Sequence, residues 1–142
     1  MNSTEVMEIL LVEDNLGDVL LAKEALKDAE VVHHLNVVHD GVEAEEYLFR
    51  RGRFSQAPRP NLILLDLNLP RKNGRDVLSD LQADAALRRI PLVVLTSSRE
   101  EQSVVDGCDP AKTLYMVKPT TFSALIEVFR QIQAFWASAM TN

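Results

Sequence analysis

Residues 61–70 read NLILLDLNLP, four aliphatic side chains without alternation running straight into an acid, Asp66. A continuous apolar run of strand length needs cover on both faces, which predicts a central strand of a parallel sheet with helices above and below. Ligands in open α/β sheets bind beyond the carboxyl ends of the strands, so Asp66 is the first candidate for chemistry.

The rest of the chain repeats the design. Residues 6–12 form a second apolar run, broken only by Glu8 and ending in Glu13 and Asp14. Helical spacing then takes over: Leu16, Val19, Leu20, Leu26 and Ala29 recur every three or four positions, with Asp18, Lys23, Glu24 and Lys27 between them and Asn15 or Asp14 as cap. Residues 31–38 read as a less apolar edge strand. Asp40-Gly41 opens a second helix, with Ala44, Tyr47 and Leu48 facing inward. A third helix is expected over 76–87, a strand over 92–95 ending at Thr96, and a short helix over 100–106 stopped by Gly107 and Pro110. A last strand over 113–117 ends at Lys118-Pro119, and a final helix over 121–137 carries Leu125, Val128, Phe129, Ile132 and Phe135 or Trp136 along one side. Five strands alternating with five helices call for parallel βαβ units with right-handed crossovers.

At 142 residues the chain is expected to be one domain, with its core over about 6–138 and no output module. A net charge of -6 disfavours a nucleic-acid backbone as partner. The single cysteine, Cys108, has no internal disulfide partner. Neither a leader nor a membrane-spanning run is read, so the expected location is cytoplasmic. The insertion-like stretch 50–60, RRGRFSQAPRP, reads as a solvated basic surface. His33 and His34 are adjacent in a strand and so face opposite ways, which argues against a shared metal.

If the strands are parallel, Glu13-Asp14, Asp66, Thr96 and Lys118 meet at one edge of the sheet. Clustered carboxylates need a compensating cation, and oxygen-only ligands without Cys or His suit a hard ion, Mg²⁺ before Ca²⁺. A carboxylate can also attack phosphorus to give an aspartyl phosphate, with the metal, the ammonium and the hydroxyl each taking a phosphoryl oxygen.

In this order and spacing the residues resemble the receiver domain of two-component response regulators, over nearly the whole chain. The LLVEDNLGDV opening, the long loop before the central strand and the Phe135-Trp136 ending look like the single-domain regulators that work with phytochrome-type histidine kinases. The resemblance implies a doubly wound, flavodoxin-like (βα)5 fold with strand order 2-1-3-4-5. It implies Asp66 as acceptor of a phosphoryl group from a kinase phosphohistidine. Glu13, Asp14, Asp66 and the backbone carbonyl of Asn68 would hold Mg²⁺, and Thr96 and Lys118 would bind the phosphoryl oxygens. A cis bond would join Lys118 to Pro119, and Tyr115 would be an aromatic switch that turns inward with Thr96. Expected partners are a sensor histidine kinase, a downstream phosphotransfer protein and a second copy of the chain, docked through the last helix and its neighbours. Ser97 stands where the family often has alanine, and Thr120-Thr121 where an aromatic residue is frequent.

Other classes fit less well. A haloacid-dehalogenase-like phosphatase needs a second acid two residues after the nucleophile, where this chain has Asn68. A flavodoxin-like cofactor carrier needs a hydroxyl- and glycine-rich loop after the first strand, where this chain has EDNLGD. A receiver used only as a phosphate-independent scaffold would keep the fold but not require the full set of polar strand ends.

Overall fold

The computed structural model describes residues 5–141. Five strands, β1 (Met7–Val12), β2 (His33–Val38), β3 (Leu62–Leu65), β4 (Leu92–Thr96) and β5 (Thr113–Val117), form one all-parallel sheet in the order β2-β1-β3-β4-β5. The four residues of β3 are wholly buried, as the unbroken apolar run predicts. Each such leucine or isoleucine contributes roughly 1.5–3 kcal/mol on leaving water.

The chain winds over both faces. Helices α1 (Leu16–Asp28) and α4 (Phe122–Met140) cover the face that carries Ile9, Leu11, Leu62, Leu64, Val93 and Leu95. Helices α2 (Gly41–Leu48) and α3 (Gly74–Gln82) cover Leu10, Val12, Ile63, Leu65 and Val94 on the other. A short polar side chain opens every helix: Asn15, Asp40, Asn73 and Thr121 accept from the amides of Asp18, Glu43, Asp76 and Ala124. At the far end of α4, Trp136 is buried and its indole N–H donates to the Asn61 carbonyl at 3.1 Å, tying the last helix to the start of the central strand.

Three expectations are corrected. The third helix ends at Gln82 rather than 87, because the Asp84 carboxylate accepts from the amides of Ala86 and Leu87 and opens a separate 3-10 turn at Leu87–Arg89. Between β4 and β5 stands only the 3-10 turn Gln102–Val105, so four α-helices accompany the five strands among the described residues. That segment is four residues long and ends two positions before Gly107, lacks a side-chain cap, and buries Val104 and Val105 only partly, too little to offset helix nucleation. On α1 the inward stripe is Val19, Ala22, Ala25 and Leu26, whereas Leu16 and Leu20 are exposed. Alanines let the helix lie close to the sheet, and that closeness turns the neighbouring leucines outward.

The arginine-rich insertion lies flat on its own aromatics: Arg51 sits 4.7 Å above the Phe49 ring, Arg53 sits 4.5 Å above Phe54, and Arg53 pairs with Glu43. His33 and His34 diverge as strand alternation requires, one to the Val31 carbonyl and the other to Glu8.

Candidate functional site

Strand alternation decides which polar side chains meet. Glu13 follows the row of Ile9 and Leu11, Asp66 that of Leu62 and Leu64, and Lys118 that of Leu114 and Met116. All three rows face α1 and α4. Register brings the rows together, with Val12 beside Leu65 and Thr96 beside Val117.

At the meeting point the Lys118 ammonium lies 2.7 Å from Glu13 Oε1, 2.9 Å from Asp18 Oδ2 and 3.0 Å from Asp66 Oδ2. The other oxygens of two of these carboxylates brace the turns that follow their strands: Glu13 Oε2 accepts from the Asn15 amide at 3.1 Å and Asp66 Oδ1 from the Asn68 amide at 2.9 Å. Glu13 and Asp66 are buried charged groups. Burial pushes Glu13 up to about 6, against the opposing pull of its hydrogen bond to Lys118. Burial lowers the affinity of Lys118 for its proton, but the bonds to Glu13, Asp18 and Asp66 together outweigh it and hold the ammonium above the ordinary lysine range.

Thr96 lies on the opposite face of its strand, in the row of Val94. Its residue is fully buried and its hydroxyl has no hydrogen-bond partner among the described residues. Unmade buried hydrogen bonds are costly, so this hydroxyl is a donor awaiting an acceptor. Its carbonyl is occupied, accepting from the Lys118 amide at 2.7 Å, which fixes the backbone of the lysine against β4. Tyr115 pairs with Val94 and so shares a face with Thr96; its hydroxyl donates to the Ser98 carbonyl. The proposed switch residue is therefore held by the segment that follows β4.

Two glycines bring the loops of the site close. A Cβ on Gly74 would lie 2.4 Å from the Asp66 carbonyl oxygen, and one on Gly41 would lie 1.9 Å from that of Lys72. The 66–74 loop is thus pressed from both sides by backbone that has no room for a side chain.

The structure differs from the sequence expectations at two points here, the isomer at Pro119 and the place of Asp18. No cis peptide bond occurs among the described residues, so Lys118-Pro119 is trans. Trans carries the intrinsic preference of about 0.5–1 kcal/mol, and with it Lys118 already reaches its carboxylates. Asp14 follows Glu13 and is exposed, and among the described residues no group of three metal-binding side chains is preassembled. The ammonium instead stands between Glu13 and Asp66. Asp18, read as an ordinary polar residue on a helix surface, joins the site. The signal that finds it is the parity of the strand ends, which aims Glu13, Asp66 and Lys118 at the first turn of α1.

A five-stranded 2-1-3-4-5 sheet with an aspartate, a lysine, a second acid and a buried threonine at its carboxyl edge defines a class. The family model for the response regulator receiver domain matches residues 9–130, and the chain belongs to that family. Within it the chain is similar to the phytochrome response regulators. It is 41% identical over 133 residues to response regulator Rcp1 of Synechocystis sp., an alignment covering 94% of this chain and 90% of Rcp1. The phosphorylated cyanobacterial phytochrome response regulator RcpA superposes with a TM-score of 0.82 at 42% identity, covering 94% of this chain and 96% of that one. The Mn²⁺-bound form of Rcp1 gives 0.80 at 41%, with 92% and 94% covered. No described helix is long and apolar enough to cross a membrane.

Proposed function

We propose that the protein is a phosphorylation-switched signalling module in which Asp66 accepts a phosphoryl group from the phosphohistidine of a sensor kinase. The observation that carries this reading is the Lys118 ammonium clamped between Asp66 and Glu13 at the same sheet edge where the buried Thr96 hydroxyl lacks a partner among the described residues. A bond forms between an Asp66 carboxylate oxygen and phosphorus as the phosphorus–nitrogen bond breaks, and the histidine leaves with the nitrogen electron pair. Lys118, freed from the Asp66 oxygen that becomes the acyl link, turns its N–H groups to the phosphoryl oxygens. Thr96 supplies a further donor, and satisfying its hydroxyl draws the threonine and the adjacent segment toward the site.

Glu13, Asp14, Asp66 and the Asn68 carbonyl offer the hard oxygen donors that suit Mg²⁺, which when bound neutralises charge on the transferring group. Because Glu13 must be ionised to serve and its pKa is raised to about 6, Mg²⁺ affinity measured by calorimetry is expected to fall about tenfold per pH unit below that value. Glu13→Gln should bind more weakly and lose most of this slope; an equally steep slope in the variant would remove Glu13 from the ligand set.

The similarity to phytochrome response regulators supports a phytochrome-type histidine kinase as donor. A downstream phosphotransfer protein and a second copy of the chain are the further partners in this reading, with the domain core over about 6–138. The dimer is supported by the open edge of β5, where all five residues are half-buried, beside the half-buried Leu125, Ile126, Val128 and Phe135 of α4.

Intact mass after incubation with acetyl phosphate and Mg²⁺ tests the reading. Wild type is expected to gain one phosphoryl group that Asp66→Asn does not gain and EDTA prevents. A wild type that gains no mass with acetyl phosphate or a panel of kinases would leave Asp66 without this role. Sedimentation of the same samples addresses the dimer, which monomer in both states would exclude.

A further inference from the structure

We propose that Asp18 is a positioning residue that keeps the Lys118 ammonium aimed into the site during phosphoryl transfer; this rests on the phosphoacceptor reading above. An ammonium has three donors, and Glu13, Asp18 and Asp66 take one each at 2.7, 2.9 and 3.0 Å. Two of these acceptors have other work in the reaction. Asp66 gives an oxygen to phosphorus, and Glu13 serves the cation. Asp18 alone has no second task, so it remains as the mooring when the other two change partners.

The geometry suits that role. Asp18 lies in the first turn of α1, which is fixed on one side by the Asn15 cap accepting from its own amide at 2.9 Å and on the other by the burial of Val19 and Ala22. Lys118 borders a mainly apolar recess whose acidic lining residues are Glu13 and Asp18, with Leu11, Leu95, Leu125 and Phe129 among its walls. The lysine stem can rest against the apolar walls while the charged end stays at the carboxylates, because moving onto the apolar walls would leave it unpaired. With Asp66 phosphorylated, one N–H stays on Asp18 and two are left for phosphoryl oxygens. When acetyl phosphate is the donor, the bond from phosphorus to the acetate oxygen breaks as the Asp66 oxygen–phosphorus bond forms, and acetate leaves with the electron pair.

The test uses the full chain with Asp18→Asn, which keeps the shape and an acceptor oxygen, and Asp18→Ala, which keeps neither. The bimolecular rate constant for acetyl phosphate, followed by intact mass, is expected to fall about tenfold in Asp18→Ala, the scale of one charge-assisted hydrogen bond at a partly exposed site, and less in Asp18→Asn. A second readout needs no phosphorylation: the ¹⁵N-detected ammonium signal of Lys118, sharp in wild type because its protons are held, is expected to broaden in Asp18→Ala. A residue that merely supported α1 would not move that signal in a variant whose thermal unfolding is unchanged. Wild-type rates in both variants, or an unaltered Lys118 signal in Asp18→Ala, would overturn the proposal and leave the phosphoacceptor reading standing. A wild type that takes no phosphoryl group would overturn both.

Discussion

Lys118→Ala in EDTA at pH 8 is expected to be about 3 kcal/mol less stable to urea than wild type, and to recover much of the difference in millimolar Mg²⁺. The side chain is only 21% exposed and stands between carboxylates that are 5% and 9% exposed, so its removal leaves two buried like charges facing one another. The sign of the pH dependence follows from Glu13. Burial raises its folded pKa to about 6, so the fold favours the neutral acid, and that advantage is present below the ordinary value of 4.5 and lost as pH rises through 6. Removing the ammonium strengthens the preference for the neutral form, so the deficit of the variant should be largest at pH 8 and shrink toward pH 5. Equal stability of the two proteins at pH 8 without Mg²⁺ would show that the ammonium does not compensate the site. Phosphorylation of the variant should be slower by about a hundredfold or more, as when one preorganised donor to a developing oxyanion is lost.

Gly74→Ala should destabilise the fold by about 3 kcal/mol and block phosphorylation at the same time. The added Cβ would meet the Asp66 carbonyl oxygen at 2.4 Å and the Leu67 Cα at 2.6 Å, and both are backbone atoms that cannot swing aside. The Gly74 amide also donates to the Leu67 carbonyl at 2.9 Å, so any movement away from the clash breaks the contact that closes the loop. Gly52→Ala is the informative control. Gly52 has φ of 54° with nothing within 4 Å of its would-be Cβ, so alanine there costs only backbone strain, about 1 kcal/mol. If Gly74→Ala proved no worse than Gly52→Ala in denaturant unfolding, the close approach would not be rigid.

What the sequence made legible were the features that depend on strand periodicity and on chain order. The unbroken burial of Leu62 to Leu65 and the convergence of Asp66, Glu13 and Lys118 both follow from parallel strands whose ends share one edge. Less legible were features set by competition between alternatives of similar energy. Leu16 and Leu20 have the same spacing as a core stripe, and only the close approach of Ala22 and Ala25 to the sheet decides that Val19 and Leu26 go in. Asp84 could continue a helix or cap a new turn, and its side chain chose the amides of Ala86 and Leu87. Asp18 was hidden because a helix aspartate is ordinarily solvated; its partner lies a hundred residues away along the chain. The isomer at Pro119 has no sequence signal beyond the resemblance, and the structure has it trans.

The short 3-10 turn between β4 and β5 leaves this unit without the helical cover that the others have. Side chains do part of the holding instead, Arg75 pairing with Glu101 and the Tyr115 hydroxyl with the Ser98 carbonyl. Such a stretch opens at a small fraction of the free energy needed to unfold the sheet. Deuterium would enter its amides, and a protease would cut its backbone, long before either reached β3. A binder docking on this face would sense how often the segment is folded, so a small change at Thr96 would be conveyed as a change in frequency rather than in shape.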